Sequence, residues 1–158
     1  MTNKFKKLLI DKSITCEVPI DFSVVFDNYA GRYSFNNGSV FIFVAFYFHT
    51  SVTNITDFLR SKLSAFINYY LNEMKSKDVS KIEILWDENK YEFEKTTKIQ
   101  KIIKFSDDEY FLCHVKVISI SGNGFDWCIC YAKDSLEVID NVATKVVASI
   151  NYTDSLGL

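Results

Sequence analysis

Nine consecutive apolar residues, Val40 to Phe48, constrain this 158-residue chain more than any other stretch. At the two-residue period of a strand, Val40, Ile42, Val44, Phe46 and Phe48 share one face, and Phe41, Phe43, Ala45 and Tyr47 share the other. Apolar residues on both faces predict a strand central in its sheet, with a layer packed on each side. The run is too short for a membrane helix, which needs roughly 20 residues.

The neighbouring segments supply the rest of the sheet. Residues 14–18 and 22–26 are rich in β-branched groups and read as edge strands, and 32–35 reads as another short strand. Asn28-Tyr29-Ala30-Gly31 is turn-like, and Asn36-Asn37-Gly38 is a hairpin signal because Asn and Gly accept positive φ. Apolar residues at Ile55, Phe58, Leu59, Leu63, Phe66, Ile67, Tyr70, Leu71 and Met74 predict an amphipathic helix of about 20 residues, with Asn54 as its N-cap. Further strands are expected at 81–86, 90–95, 98–105, 109–119 and 125–132, with turns at Asp87-Glu88-Asn89 and Ser121-Gly122-Asn123-Gly124. A closing helix is expected from about Ser135, capped by Asp134 or Ser135. The expected fold is α+β: an antiparallel sheet of six to eight strands, sandwich-like, with a long central helix and a C-terminal helix packed on it.

Composition makes residues 1–158 a single compact domain. Apolar residues make up 48% and aromatics 16%, enough for a sizeable core, while one proline and five glycines leave no linker. The basic start at Lys4, Lys6 and Lys7 leads into three apolar residues before Asp11, against the roughly 7–15 of a signal peptide. A cytoplasmic location is expected, in which the sequons at Asn37, Asn54 and Asn151 carry no sugar. Charge is uneven. Residues 106–140 hold Asp107, Asp108, Glu109, Asp126, Asp134, Glu137 and Asp140 against Lys116 and Lys133. An acidic third argues against nucleic acid as a partner, since phosphate binding needs clustered cations.

Chemistry-bearing residues are few. Cys128 and Cys130 have the wrong spacing for a zinc or redox pair, and with Cys113 they read as small buried packing groups, so no metal is expected. His114 lies on a strand face with Leu112 and Lys116, lacks an assignable acid and nucleophile, and reads as a surface or rim histidine, as does His49. Glu92 and Glu94 share a strand face and read as solvated, although paired carboxylates could do acid–base work. Asp107-Asp108-Glu109 lacks the spaced ligands and glycine of a calcium loop. It reads as an acidic turn first and a site for a basic partner second.

The layout resembles the PsbP/DcrB-like fold group across roughly residues 12–152. The resemblance rests on Ile14-Thr15-Cys16-Glu17-Val18-Pro19, an aromatic-rich strand pair ending in Phe41–Phe48, the long amphipathic helix, a four-stranded run, and a closing helix with Val146-Val147-Ala148-Ser149-Ile150. The chain departs from that pattern where Ile20-Asp21-Phe22 stands in place of a Gly/Trp-containing turn. Members of the group are mostly non-catalytic binding proteins, including chaperones for secreted bacterial toxins, a Ran-binding import factor and photosystem subunits. The resemblance implies a protein-binding role and supplies no active-site residues.

The expected function is therefore a non-catalytic protein-binding module without a cofactor, in the form of a bacterial accessory protein that neutralises or chaperones a toxin. Asp107, Asp108, Glu109, Glu92 and Glu94 are its candidate contacts with a basic partner. One alternative is a ligand-binding or catalytic pocket between sheet and helix that uses His114, Glu92, Glu94 and Tyr91. Another is a structural homodimer that buries an aromatic face.

Overall fold

A computed structural model describes residues 4–11, 13–50, 54–73, 85–91, 96–104, 109–121 and 123–152. In chain order the elements are β1 (Phe5–Asp11), β2 (Ile14–Pro19), β3 (Ser23–Asp27), β4 (Arg32–Asn36), β5 (Phe41–Thr50), α1 (Ile55–Glu73), β6 (Leu85–Tyr91), β7 (Thr96–Lys104), β8 (Tyr110–Ser121), β9 (Gly124–Asp134), α2 (Leu136–Val138), a π-helical stretch (Ile139–Ala143), α3 (Thr144–Ser149) and β10 (Asn151–Tyr152). The fold is α+β, as the periodicities predict.

Seven strands form one antiparallel sheet in the order β3-β4-β5-β9-β8-β7-β6. It consists of two meanders, β3–β4–β5 and β6–β7–β8–β9, joined where β5 pairs with β9 from Ile42↔Ala132 to Thr50↔Gly124. The hairpin between β4 and β5 turns at Gly38, whose φ of 93° suits glycine, while the Asn37 side chain accepts from the amides of Ser39 and Val40. A second sheet of three strands, β1-β2-β10, forms a separate layer.

The large sheet carries a core on each face. On one, Leu59, Leu63 and Ile67 of α1 pack on Ile99, Phe111, Cys113 and Val115. On the other, Val142, Val146 and Val147 of the C-terminal helical stretch and Cys16 and Val18 of β2 pack on Ile42, Val44, Leu112 and Cys130. The helix caps follow the sequence. Asn54 Oδ1 accepts from the Asp57 amide at 3.0 Å, and Ser135 Oγ accepts from the Val138 amide.

Three expectations are corrected. The triplet Asp87-Glu88-Asn89 lies inside β6, paired with Gln100, Ile99 and Lys98, rather than forming a turn between two strands. No Gly or Pro forces a reversal there, and ladder pairing outweighs the turn preference of Asp and Asn. The flanking residues 81–84 and 92–95 lie outside the described ones. The basic start is strand β1, and β2, expected at an edge, is the middle strand of the small sheet. Finally, β5 is interior to its sheet but only partly covered on each face: Ile42 and Val44 are buried while Phe48 on their face is 56% exposed, and on the other face Ala45 is buried while Phe41 is 41% exposed and Tyr47 49%.

Candidate interaction surface

The chemistry-bearing residues singled out in the sequence divide between the interior and undescribed positions. His114, expected at the surface, is buried, because its strand face is the one roofed by the small sheet and the C-terminal helical stretch. Its Nδ1 lies 3.0 Å from Gln100 Oε1, and its buried Nε2 has no partner among the described residues. Burial, reinforced by the nearby positive charges of Lys116 and Lys98, pushes its pKa down to about 3. His114 therefore stays neutral inside the core. His49 is half-buried against Phe58 and Phe125, as a rim position implies.

Lys116 on the same face is also buried, and its ammonium donates to the carbonyls of Val147 at 3.0 Å and Ala148 at 3.3 Å. It thereby caps the C-terminal end of α3, where unpaired carbonyls concentrate negative charge. All four cysteines are buried and free, consistent with packing groups. Desolvation raises the thiol pKa of Cys16 to about 12 and pushes those of Cys113 and Cys130 up as well. Thiols held protonated in this way are poor nucleophiles and poor metal ligands.

Of the five candidate acidic contacts, Glu109 is half-buried and pairs with Lys133 at 3.7 Å. Glu92, Glu94, Asp107 and Asp108 lie outside the described residues. Tyr91 ends β6.

The surface these elements leave open is on the α1 side of the sheet. An α-helix is roughly 10 Å wide and strands lie about 4.8 Å apart, so one helix roofs about two strands. Helix α1 lies over β7 and β8, with Phe58 reaching Trp127 and Phe66 reaching Tyr131 on β9. The same face of β3, β4 and β5 continues beyond its flank. Register places Val25, Ser34, Phe43 and Tyr131 in one row across it, with Phe41 and Tyr47 two and four residues from Phe43 along β5. Phe41 stacks on Phe43 with ring centroids 6.2 Å apart, Phe43 meets Tyr131 at 5.2 Å, and Tyr47 packs on Trp127 at 4.9 Å. The result is a shelf with a sheet floor and the flank of α1 as its wall.

Arg32 crosses this shelf. Its guanidinium carbon sits 4.1 Å from the centre of the Phe43 ring and 5.8 Å from that of Tyr131, and Nη1 donates to the Tyr131 hydroxyl. The Tyr131 pKa is raised, chiefly by burial and against the opposing pull of Arg32. Asp27, directly opposite Arg32 in the ladder, accepts from the Tyr29 and Ala30 amides of the turn through Oδ1 and makes no ion pair with Arg32. Arg32 thus has no carboxylate partner among the described residues. Sequence reading missed this shelf. The available signal was the ratio of one long helix to many strands, together with the aromatic run of β5.

A shallow groove of about 480 Å³ lies elsewhere, between the small sheet and α3, lined by Phe5, Glu17, Lys145, Ala148 and Ser149. It contains none of the residues proposed for a ligand pocket. Among the described residues, no group of three or more His, Cys, Asp or Glu side chains is placed to hold a metal ion. No described helix is long and apolar enough to cross a membrane.

No family model matches the sequence, and no curated protein does. Solved structures do match. The solution structure of cyanobacterial PsbP (CyanoP) from Synechocystis sp. PCC 6803 aligns with a TM-score of 0.61 at 11% identity, covering 96% of this chain and 94% of that one. LpqN, involved in cell envelope biogenesis of Mycobacterium tuberculosis, aligns with a TM-score of 0.51 at 9% identity, covering 95% and 91%. At such identities the likeness is one of fold, and the fold of this chain is PsbP-like.

Proposed function

We propose that this chain is a non-catalytic protein-binding module: a cytoplasmic accessory protein of a bacterial toxin, which it neutralises or chaperones. The observation that carries the binding reading is the open aromatic shelf of Phe41, Phe43 and Tyr47, built on the rigid floor of a seven-stranded sheet. Half-exposed aromatics clustered on a rigid surface are the usual anchors of protein interfaces. The buried polar groups support the same reading, because His114 and Lys116 serve the core and the cap of α3 rather than a reaction centre. The toxin assignment rests on the resemblance of layout together with the acidic stretch 106–140, in which Asp107, Asp108 and Glu109, with Glu92 and Glu94, would speed encounter with a basic surface of the partner.

The test is co-expression with the products of adjacent genes. The expected result is a stoichiometric complex that survives gel filtration and is lost when Phe41 and Tyr47 are both replaced by serine. Failure of every neighbouring product to form a complex contradicts the reading.

A further inference from the structure

We propose that the shelf recognises a carboxylate-bearing apolar segment of a partner protein, with Arg32 as the residue that selects it. This builds on the binding-module reading and names the chemistry of the contact. The guanidinium is held over Phe43 at 4.1 Å and fixed by the Tyr131 hydroxyl, so its rotamer freedom is already spent before a partner arrives. Guanidinium has five N–H donors, and one of them is committed to the Tyr131 hydroxyl, which leaves donors for a two-oxygen acceptor.

The charge around the shelf points the same way. Asp27 turns Oδ1 to the turn amides and makes no ion pair with Arg32, Glu109 is paired with Lys133, and Lys62 adds a second cation on the α1 wall, 5.3 Å from the Phe58 ring. A basic segment would meet cations here, and a purely apolar one would bury Arg32 without a counter-charge, a costly arrangement. An acidic side chain flanked by apolar ones satisfies both halves of the surface: the apolar groups cover Phe41 and Tyr47, and the carboxylate pairs with Arg32. The acidic stretch 106–140 is a different part of the sequence and would meet a different part of the partner.

The probe is an N-acetylated, C-amidated pentapeptide with one glutamate between two leucines, alongside its glutamine and lysine counterparts. Each is titrated into the full chain and followed by amide NMR. The glutamate peptide is expected to shift the amides of Arg32, Ser34, Phe43 and Tyr47 and the indole N–H of Trp127. The glutamine peptide should bind about tenfold more weakly and the lysine peptide more weakly still. In Arg32→Gln the glutamate and glutamine peptides should bind alike, with the dispersed spectrum retained as proof of folding. Three results overturn the proposal: equal binding of the glutamate and lysine peptides, shifts confined to other surfaces or absent at millimolar peptide, and a self-association that Phe41→Ser dissolves, which would make a second copy the occupant. A protein complex that survives Arg32→Gln would also overturn it while leaving the module reading intact. Absence of any protein complex, with the glutamate preference present, would sink the module reading instead.

Discussion

At the scale of single residues, the pattern of apolar positions told which side chains are apolar but not how many layers sit above them. His114 shows the consequence. Its neighbours Leu112 and Lys116 suggested a mixed, exposed face, yet the small sheet and α3 close over it. Its folded pKa of about 3 lies below the unfolded value of 6.5, so the unfolded chain takes up the proton first. Stability from this group is complete above about pH 6.5 and is lost as pH falls toward 3, at up to about 1.4 kcal/mol per pH unit. Urea unfolding at pH 7, 5.5 and 4.5 should show this slope in the wild type and a shallower one in His114→Gln; identical slopes would remove His114 as the cause. Gly124 gives a second residue-scale prediction. A Cβ there would sit 2.4 Å from the Phe48 ring and 2.5 Å from the His49 carbonyl oxygen, and the carbonyl belongs to the paired strand and cannot swing away. Gly124→Ala should cost about 2 kcal/mol, read as a lower denaturation midpoint.

At the scale of elements, most of the periodicities translate directly. Steps of three and four from Ile55 onward give α1, and alternation gives β8 and β9. What the sequence could not show was layer membership, because β2 reads like any short strand of the large sheet yet pairs with β1 and β10 in a separate one, and the basic start gave no strand pattern for β1. The polar triplet in β6 was misread for a related reason: pairing partners far along the chain decided its conformation. The tie between β8 and α3 is a long-range contact of the same kind. Lys116→Ala removes two charge-assisted bonds to helix carbonyls along with a buried aliphatic stem, and should destabilise the chain by about 3 kcal/mol. The loss should be accompanied by faster amide exchange in Thr144–Ser149, whereas unchanged exchange there would mean that Lys116 does not hold α3.

At the scale of the whole molecule, the governing fact is a mismatch of widths. Seven strands present a face that α1 alone cannot roof, and the uncovered part carries the half-exposed aromatics Phe41 and Tyr47 of β5. The sequence held the ingredients, since the apolar run of β5 predicted a second covering layer. That layer reaches β5 at His49, through Phe58, and is absent over β3 and β4 among the described residues, and the missing cover is what a partner would provide. Of the acidic contacts proposed from sequence, only Glu109 is described, and it is already paired with Lys133, so the shelf rather than the acidic turn is the better-defined surface. Phe41→Ser and Tyr47→Ser should each change stability by only about 1 kcal/mol, because both side chains are already half-exposed.

The most direct measurement is the affinity of this chain for its co-expressed neighbouring gene product, compared by titration calorimetry between the wild type and the Phe41→Ser, Tyr47→Ser double variant. A one-to-one complex with the wild type, weakened about a hundredfold or more in a variant that unfolds at nearly the same urea concentration, is the predicted result. A complex of equal strength with both proteins would contradict the shelf as the binding surface, and no complex with either would contradict the binding module itself.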